Sequence, residues 1–213
     1  MKKLYTLIIL CTFALGLKAQ TADSIINNVT EQFKAFKSVQ LDFDYTMLND
    51  DMGIDESNKG DLVFKDNKYI LNLKQLGLSI YNDGTNSYTY NSEANELTIS
   101  SLEDAEQMMN PATLFAMYEN GYDAKYLGES KLNGMDCYQL EMTPQTGNEM
   151  EFSKAIIFIG KKSNFIEQAQ MYVEGGTVYT LKVKNLRTDA SLDDTQFSFN
   201  QEDYPGIEVI DLR

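Results

Sequence analysis

Histidine is absent from this chain of 213 residues, and cysteine occurs only twice. The missing histidine removes the commonest general base, the usual Ser and Cys triads and the commonest metal ligand. So few cysteines without histidine also exclude ordinary structural zinc sites. A phosphate cradle is lacking as well: Gly84 and Gly134 stand singly in turns, and Gly175-Gly176 joins two strand-like runs instead of opening a helix. Positive charge is scarce. Lys and Arg total 18 against 32 Asp and Glu, a net charge of −14. That balance opposes nucleic acid, whose phosphates need clustered cations, and equally opposes adhesion to anionic headgroups. It suits a soluble monomer. Carboxylates are plentiful, so composition leaves a two-carboxylate glycosidase open, yet they fall in turns or on the polar faces of strands. The cluster Asp50, Asp51, Asp55 and Glu56 lacks the spacing of a calcium loop. The expectation is no enzyme, no cofactor and no metal.

Met1-Lys2-Lys3 is followed by an apolar run over residues 4–17, and Lys18-Ala19-Gln20 ends it with a small residue. This is the layout of a secretory signal cut after Ala19, and about fourteen residues are too few for a comfortable membrane span. Leu10 stands before Cys11 where a lipoprotein signal needs a small residue. The expectation is therefore a signal peptide at 1–19 and a single exported domain at 20–213. After cleavage only Cys137 remains, so no intramolecular disulfide forms despite an oxidising compartment. Its apolar surroundings read as core.

One helix is expected at 21–37, where Ile25, Ile26, Val29, Phe33 and Phe36 recur near helical spacing and Thr21 or Asp23 can cap the start. The period then becomes two. Val39, Leu41, Phe43, Tyr45 and Met47 alternate with polar residues, a strand with one wet and one greasy face. Residues 49–58 read as an acidic turn. Short strands follow at 60–65, 68–73 and 78–81, then around Tyr88 and Tyr90 and around Leu97 and Ile99. Residues 102–109 read as a short acidic helix, and Asn110-Pro111 restarts another carrying Leu114, Phe115, Met117 and Tyr118. Strands resume at 126–130, 135–142, 155–159, 165–173 and 177–185, with an Asn133-Gly134 hairpin turn. A last segment carries Phe197 and Phe199 and ends at 207–212.

Such an antiparallel meander, with one continuous apolar face, must cover that face with helices, close on itself or hold an apolar ligand. About three helices are available, within 21–37 and 102–119. Ten methionines supply flexible thioethers that adapt to irregular apolar partners. Periodicity alone leaves two outcomes open, a core filled by its own side chains and a cavity left for a guest.

Several segments, in order, carry a family resemblance. They are the opening helix with Lys37-Ser38-Val39-Gln40-Leu41-Asp42-Phe43, then Gly60-Asp61-Leu62-Val63-Phe64-Lys65 and Asn67-Lys68-Tyr69. Next come Asp83-Gly84 leading into Tyr88-Thr89-Tyr90, and the apolar helix after Pro111. The ending has Phe197-Ser198-Phe199 and Pro205-Gly206-Ile207-Glu208-Val209. Over nearly the whole mature length the chain resembles the LolA family of periplasmic outer-membrane lipoprotein carriers. The resemblance implies a mainly β fold with α, an incomplete antiparallel β-barrel of about 11 strands whose helices form a lid over an apolar cavity. It implies acyl chains of lipid-modified proteins as cargo, taken from an inner-membrane lipoprotein-releasing transporter and passed towards an outer-membrane acceptor. The cavity residues expected on this basis are Phe43, Leu62, Phe64, Tyr69, Leu71, Tyr88 and Tyr90 from the sheet, with Leu114, Phe115 and Met117 from the lid. Two departures stand out. The family commonly carries Lys-Arg-Pro where this chain has Lys65-Asp66-Asn67, so no arginine role carries over, and Tyr88 replaces the family's Trp. Other readings of the same pattern are a carrier or sensor for another lipid or glycolipid, and a structural or adaptor domain.

Overall fold

The computed structural model describes residues 21–101, 121–145 and 152–213. The expected signal peptide and the expected helices at 102–119, with Leu114, Phe115 and Met117, lie outside the described residues.

The helix α1 (Ala22–Ala35) starts where Thr21 Oγ1 accepts the Ser24 N–H, the usual N-cap bond. It ends at Ala35, two residues short of the expected stop, and Phe36 turns extended. Twelve strands follow: β1 (Val39–Asn49), β2 (Ile54–Lys65), β3 (Lys68–Leu73), β4 (Leu78–Asn82), β5 (Asn86–Asn91) and β6 (Glu96–Ser101), then β7 (Tyr122–Leu132), β8 (Met135–Pro144), β9 (Lys154–Gly160), β10 (Ile166–Tyr172), β11 (Val178–Thr188) and β12 (Glu208–Asp211). They form one open sheet in the order β12-β6-β5-β4-β3-β2-β1-β11-β10-β9-β8-β7. The architecture is the expected incomplete barrel, with β12 and β7 outermost among the described strands. Two details differ from expectation. Residues 54–58 belong to β2 and pair with residues 45–49, because the reversal is confined to a short turn closed by Gly53 at φ +66°. The last strand runs parallel to β6, since the chain returns over the sheet before pairing.

Registers assign every side chain to a face. Phe43 is paired with Gly60, Gly60 with Leu73, Leu73 with Leu78 and Leu78 with Asn91. Directly paired residues share a face, so this row and its alternates define an inner face.

Two buried clusters cover that face. Ala22, Ile25, Ile26 and Val29 of α1 pack with Leu140, Met142, Ala155, Ile157, Ile159 and Ile166 of β8, β9 and β10. Val39, Leu41, Phe43, Leu62, Tyr69 and Leu71 form the second cluster with Phe165, and Phe33 and Phe36 pack against its edge. Cys137 is fully buried, as its setting in the sequence suggested.

The outer face is covered on one side by the chain's last segment. Phe197 is fully buried there, Leu97 and Ile99 are buried on β6, and Asp194 is ion-paired with Lys68 at 2.8 Å and with Lys65. Among the described residues, no helix is long and apolar enough to cross a membrane.

Candidate functional site

The site follows from a mismatch of sizes. Twelve strands spaced about 4.8 Å apart make a sheet roughly 50 Å across, whereas the 14 residues of α1 are about 21 Å long. The described helix therefore seals the four strands β7–β10 and reaches only the border of the other eight. Beyond it, the inner face carries Tyr45, Met47, Leu73, Ile80, Tyr179, Leu181 and Val183, all half-buried. Tyr45 and Tyr179 stack there with ring centroids 5.7 Å apart and planes 16° from parallel. Burial, followed by the fields of Tyr179 and Glu56, pushes the Tyr45 hydroxyl up to about 12.

Five of the expected cavity residues stand together on this face. Phe43, Leu62, Tyr69 and Leu71 are buried in the second cluster, and Phe64 is half-buried beside it with its ring 5.3 Å from that of Phe33. Tyr88 and Tyr90 are not brought to them. Tyr88 is paired with Tyr81, Tyr81 with Ile70 and Ile70 with Val63, a row on the outer face. There Tyr81, Tyr88, Tyr90, Phe199 and Tyr204 make an aromatic cluster, with Tyr90 to Tyr204 at 4.5 Å and Phe199 to Tyr204 at 4.6 Å. Tyr88 Oη donates to Asp83 Oδ2 at 3.1 Å. These tyrosines hold the terminal segment to the sheet. The inner face also carries Tyr45, Leu73, Ile80, Tyr179, Leu181 and Val183, beyond the expected set. Their signal was the same alternation that marked Phe43; what was missing was the pairing that gathers them.

A polar depression of about 500 Å³ on the outer face takes in Asp42, Asp44, Lys59, Asp61, Lys74 and Lys184. Its three carboxylates and three lysines balance in number: Lys74 lies 3.0 Å from Asp61 and Lys184 3.1 Å from Asp44, while Asn185 donates to Asp42 at 2.8 Å. It presents no unbalanced charge to an ionic ligand. No group of three or more Cys, Asp and Glu able to hold a metal occurs among the described residues.

Fold and site together define an incomplete β-barrel with an apolar inner face. A family model described as an uncharacterized protein matches residues 78–193, and the chain belongs to that family. The uncharacterized protein MJ0687 of Methanocaldococcus jannaschii is 25% identical over 192 residues, 88% of this chain and 53% of the relative. The chain thus spans about half the length of the curated relative it matches. Among solved structures, an uncharacterized conserved protein from Thermus thermophilus superimposes with a TM-score of 0.60 at 16% identity, covering 89% of this chain and 98% of that one. The two share a fold. The chain is also similar to the LolA superfamily protein NE2245 of Nitrosomonas europaea (TM-score 0.46, 15% identity, 84% and 98% covered) and to the Mycobacterium tuberculosis lipoprotein LppX (TM-score 0.48, 14% identity, 80% and 96% covered).

Proposed function

We propose that this protein is an exported carrier whose inner face holds acyl chains, and that its cargo is lipid-modified protein moved from the inner to the outer membrane of the periplasm. The observation that carries the reading is the half-buried stretch of apolar side chains beyond α1, around Tyr45, Ile80, Tyr179 and Leu181. An apolar surface of this kind is stabilised by any hydrocarbon laid against it, at roughly 0.8 kcal/mol per buried CH₂. The LolA resemblance of the sequence supplies the cargo class, the periplasmic setting and the donor and acceptor partners. Net affinity is the difference between packing against cargo and packing in its absence, so cargo can leave without local ATP.

A second reading is favoured by one observation. The two-residue turn joining β2 to β3 is Asp66-Asn67, with Asp66 at φ +56° and Lys65 turned to Asp194, where the LolA family commonly has Arg-Pro. A carrier or sensor for free lipid or glycolipid fits a chain lacking that element. Native mass spectrometry of the protein purified from its own periplasm separates the readings. Bound triacylated protein is the expected result and bound free lipid selects the second reading. Emptiness, with no uptake of a fluorescent fatty acid, removes both and leaves a structural or adaptor domain.

A further inference from the structure

The inner face is not uniformly apolar. Asn58 is paired with Tyr45 across β1 and β2, and Tyr179 stacks on Tyr45 from β11. Asn58 is only 8% exposed, and neither its amide nor the hydroxyls of Tyr45 and Tyr179 have a hydrogen-bond partner among the described residues. The amide is not sealed off, so it and the two hydroxyls offer donors and acceptors on a largely apolar face.

We propose that Tyr45, Asn58 and Tyr179 form a polar neck site that hydrogen-bonds the ester carbonyls of a diacylglyceryl group whose acyl chains lie on the adjoining apolar face. The inference rests on the acyl-carrier reading and names the part of the ligand it leaves open.

Neighbouring charge selects the ligand. Lys59, Lys182 and Lys184 occupy alternate positions of these strands and so face outward, whereas Glu56 stands opposite Met47 on the inner face. Among the described residues of this face, a phosphate headgroup would meet a carboxylate and no cation. A neutral carbonyl needs only neutral donors. With its proton held up to about 12, Tyr45 stays a donor at any physiological pH. Beside Tyr45 stand Leu181, its partner on β11, and Val183, and across Gly60 stands Leu73, all half-buried. Acyl chains leaving the neck would therefore run directly onto the apolar rows.

The test compares ester with ether. Dipalmitoylglycerol and its dihexadecyl ether analogue are bound to the full chain by displacement of a fluorescent fatty acid, alongside a dipalmitoylglyceryl-cysteine peptide and its diether counterpart. The expected ester preference is about tenfold, the combined worth of two neutral hydrogen bonds. It should fall to roughly parity in Tyr45→Phe/Asn58→Leu, with ether affinity retained as the sign that the variant is folded. Ester preference with the free glyceride or with the peptide supports the neck site and names its source. Equal binding of ester and ether to the wild type overturns the neck site while the acyl reading stands. Binding of neither overturns both.

Discussion

Phe43 lays its ring across the backbone of Gly60, its direct partner on the neighbouring strand: a Cβ at Gly60 would run into Cζ and Cε1 of Phe43 and sit 2.6 Å from the Asn72 carbonyl oxygen. A flexible ring tip can swing away, but the Asn72 carbonyl belongs to the ladder of β3 and cannot. Gly60→Ala is therefore expected to destabilise the chain by about 1–3 kcal/mol, the cost of overpacking a well-filled site. Urea unfolding, with the shift in midpoint at constant slope, measures it. A neutral substitution would mean that β2 and β3 separate freely at this point.

The face assignment makes a paired prediction. Leu181 and Thr180 are neighbours on β11, but Leu181 pairs with Tyr45 on the inner face and Thr180 with Thr46 on the outer. Leu181→Asp places a charge where a hydrocarbon would lie, and fatty-acid affinity should fall at least about tenfold. Thr180→Asp should leave affinity within about twofold, since a charge on the wet face touches no ligand. Titration of both variants with a fluorescent fatty acid decides the matter. Equal losses would mean that ligand does not lie on the inner face.

The same pair shows what was legible in the sequence. The alternation of Leu41, Phe43 and Tyr45 announces a strand with two unlike faces, because side chains on a strand point alternately to either side. It does not say which apolar row belongs with which. Tyr88 and Tyr90 alternate just as well, yet the turn through Asp83 and Gly84 sets a register that sends them outward. Their partners, Phe199 and Tyr204, lie over 100 residues away and carry no local sign of it. Residues 54–58 carry no strand signal of their own, because Asp55, Glu56, Ser57 and Asn58 have poor strand propensity. They are held extended by pairing with β1, a long-range effect. Asn58 owes its place beside Tyr45 to the same long-range pairing.

Acid should loosen the C-terminal segment before the barrel. Bonds from Lys65 and Lys68 hold the Asp194 carboxyl down at about 2, and Asp211 is held at about 2 by Arg213. The partner of Asp211 lies two residues away in the same segment, whereas Asp194 is held from β2 and β3, so it is Asp194, below its usual value of 3.8, that makes the undocked segment bind a proton more readily than the docked one. The stabilisation is complete above that value and is lost as pH falls through the depressed one. Hydrogen exchange should therefore show amides of residues 194–213 accelerating between pH 4 and 2 ahead of β1 and β2. Asp194→Asn, being already uncharged, should flatten the response around Asp194. Uniform acceleration across all strands would count against a separately held segment. Because these groups are exposed, 0.5 M salt should weaken the same contacts at neutral pH.

Phe199 is the ring on which the outer cluster converges, 5.5 Å from Tyr81, 5.6 Å from Tyr90 and 4.6 Å from Tyr204. Each such pair adds roughly 0.5–1.5 kcal/mol to simple burial, so Phe199→Ala should cost the chain about 2–3 kcal/mol, less than a fully buried ring because Phe199 is half-buried. The damage should also be directional. Tyr204 and β12 follow Phe199 in the chain, and β12 covers the edge of β6 with four paired residues. Releasing them bares Leu97 and Ile99 together with an unpaired strand edge, the surface from which sheets stack edge to edge. Light scattering at raised protein concentration should show the variant associating while it remains folded by circular dichroism. A second change, Ile99→Lys, puts a charge on that edge and should suppress the association without restoring the lost stability. If the double variant still associates, the exposed surface lies elsewhere and the terminal segment does not guard this edge.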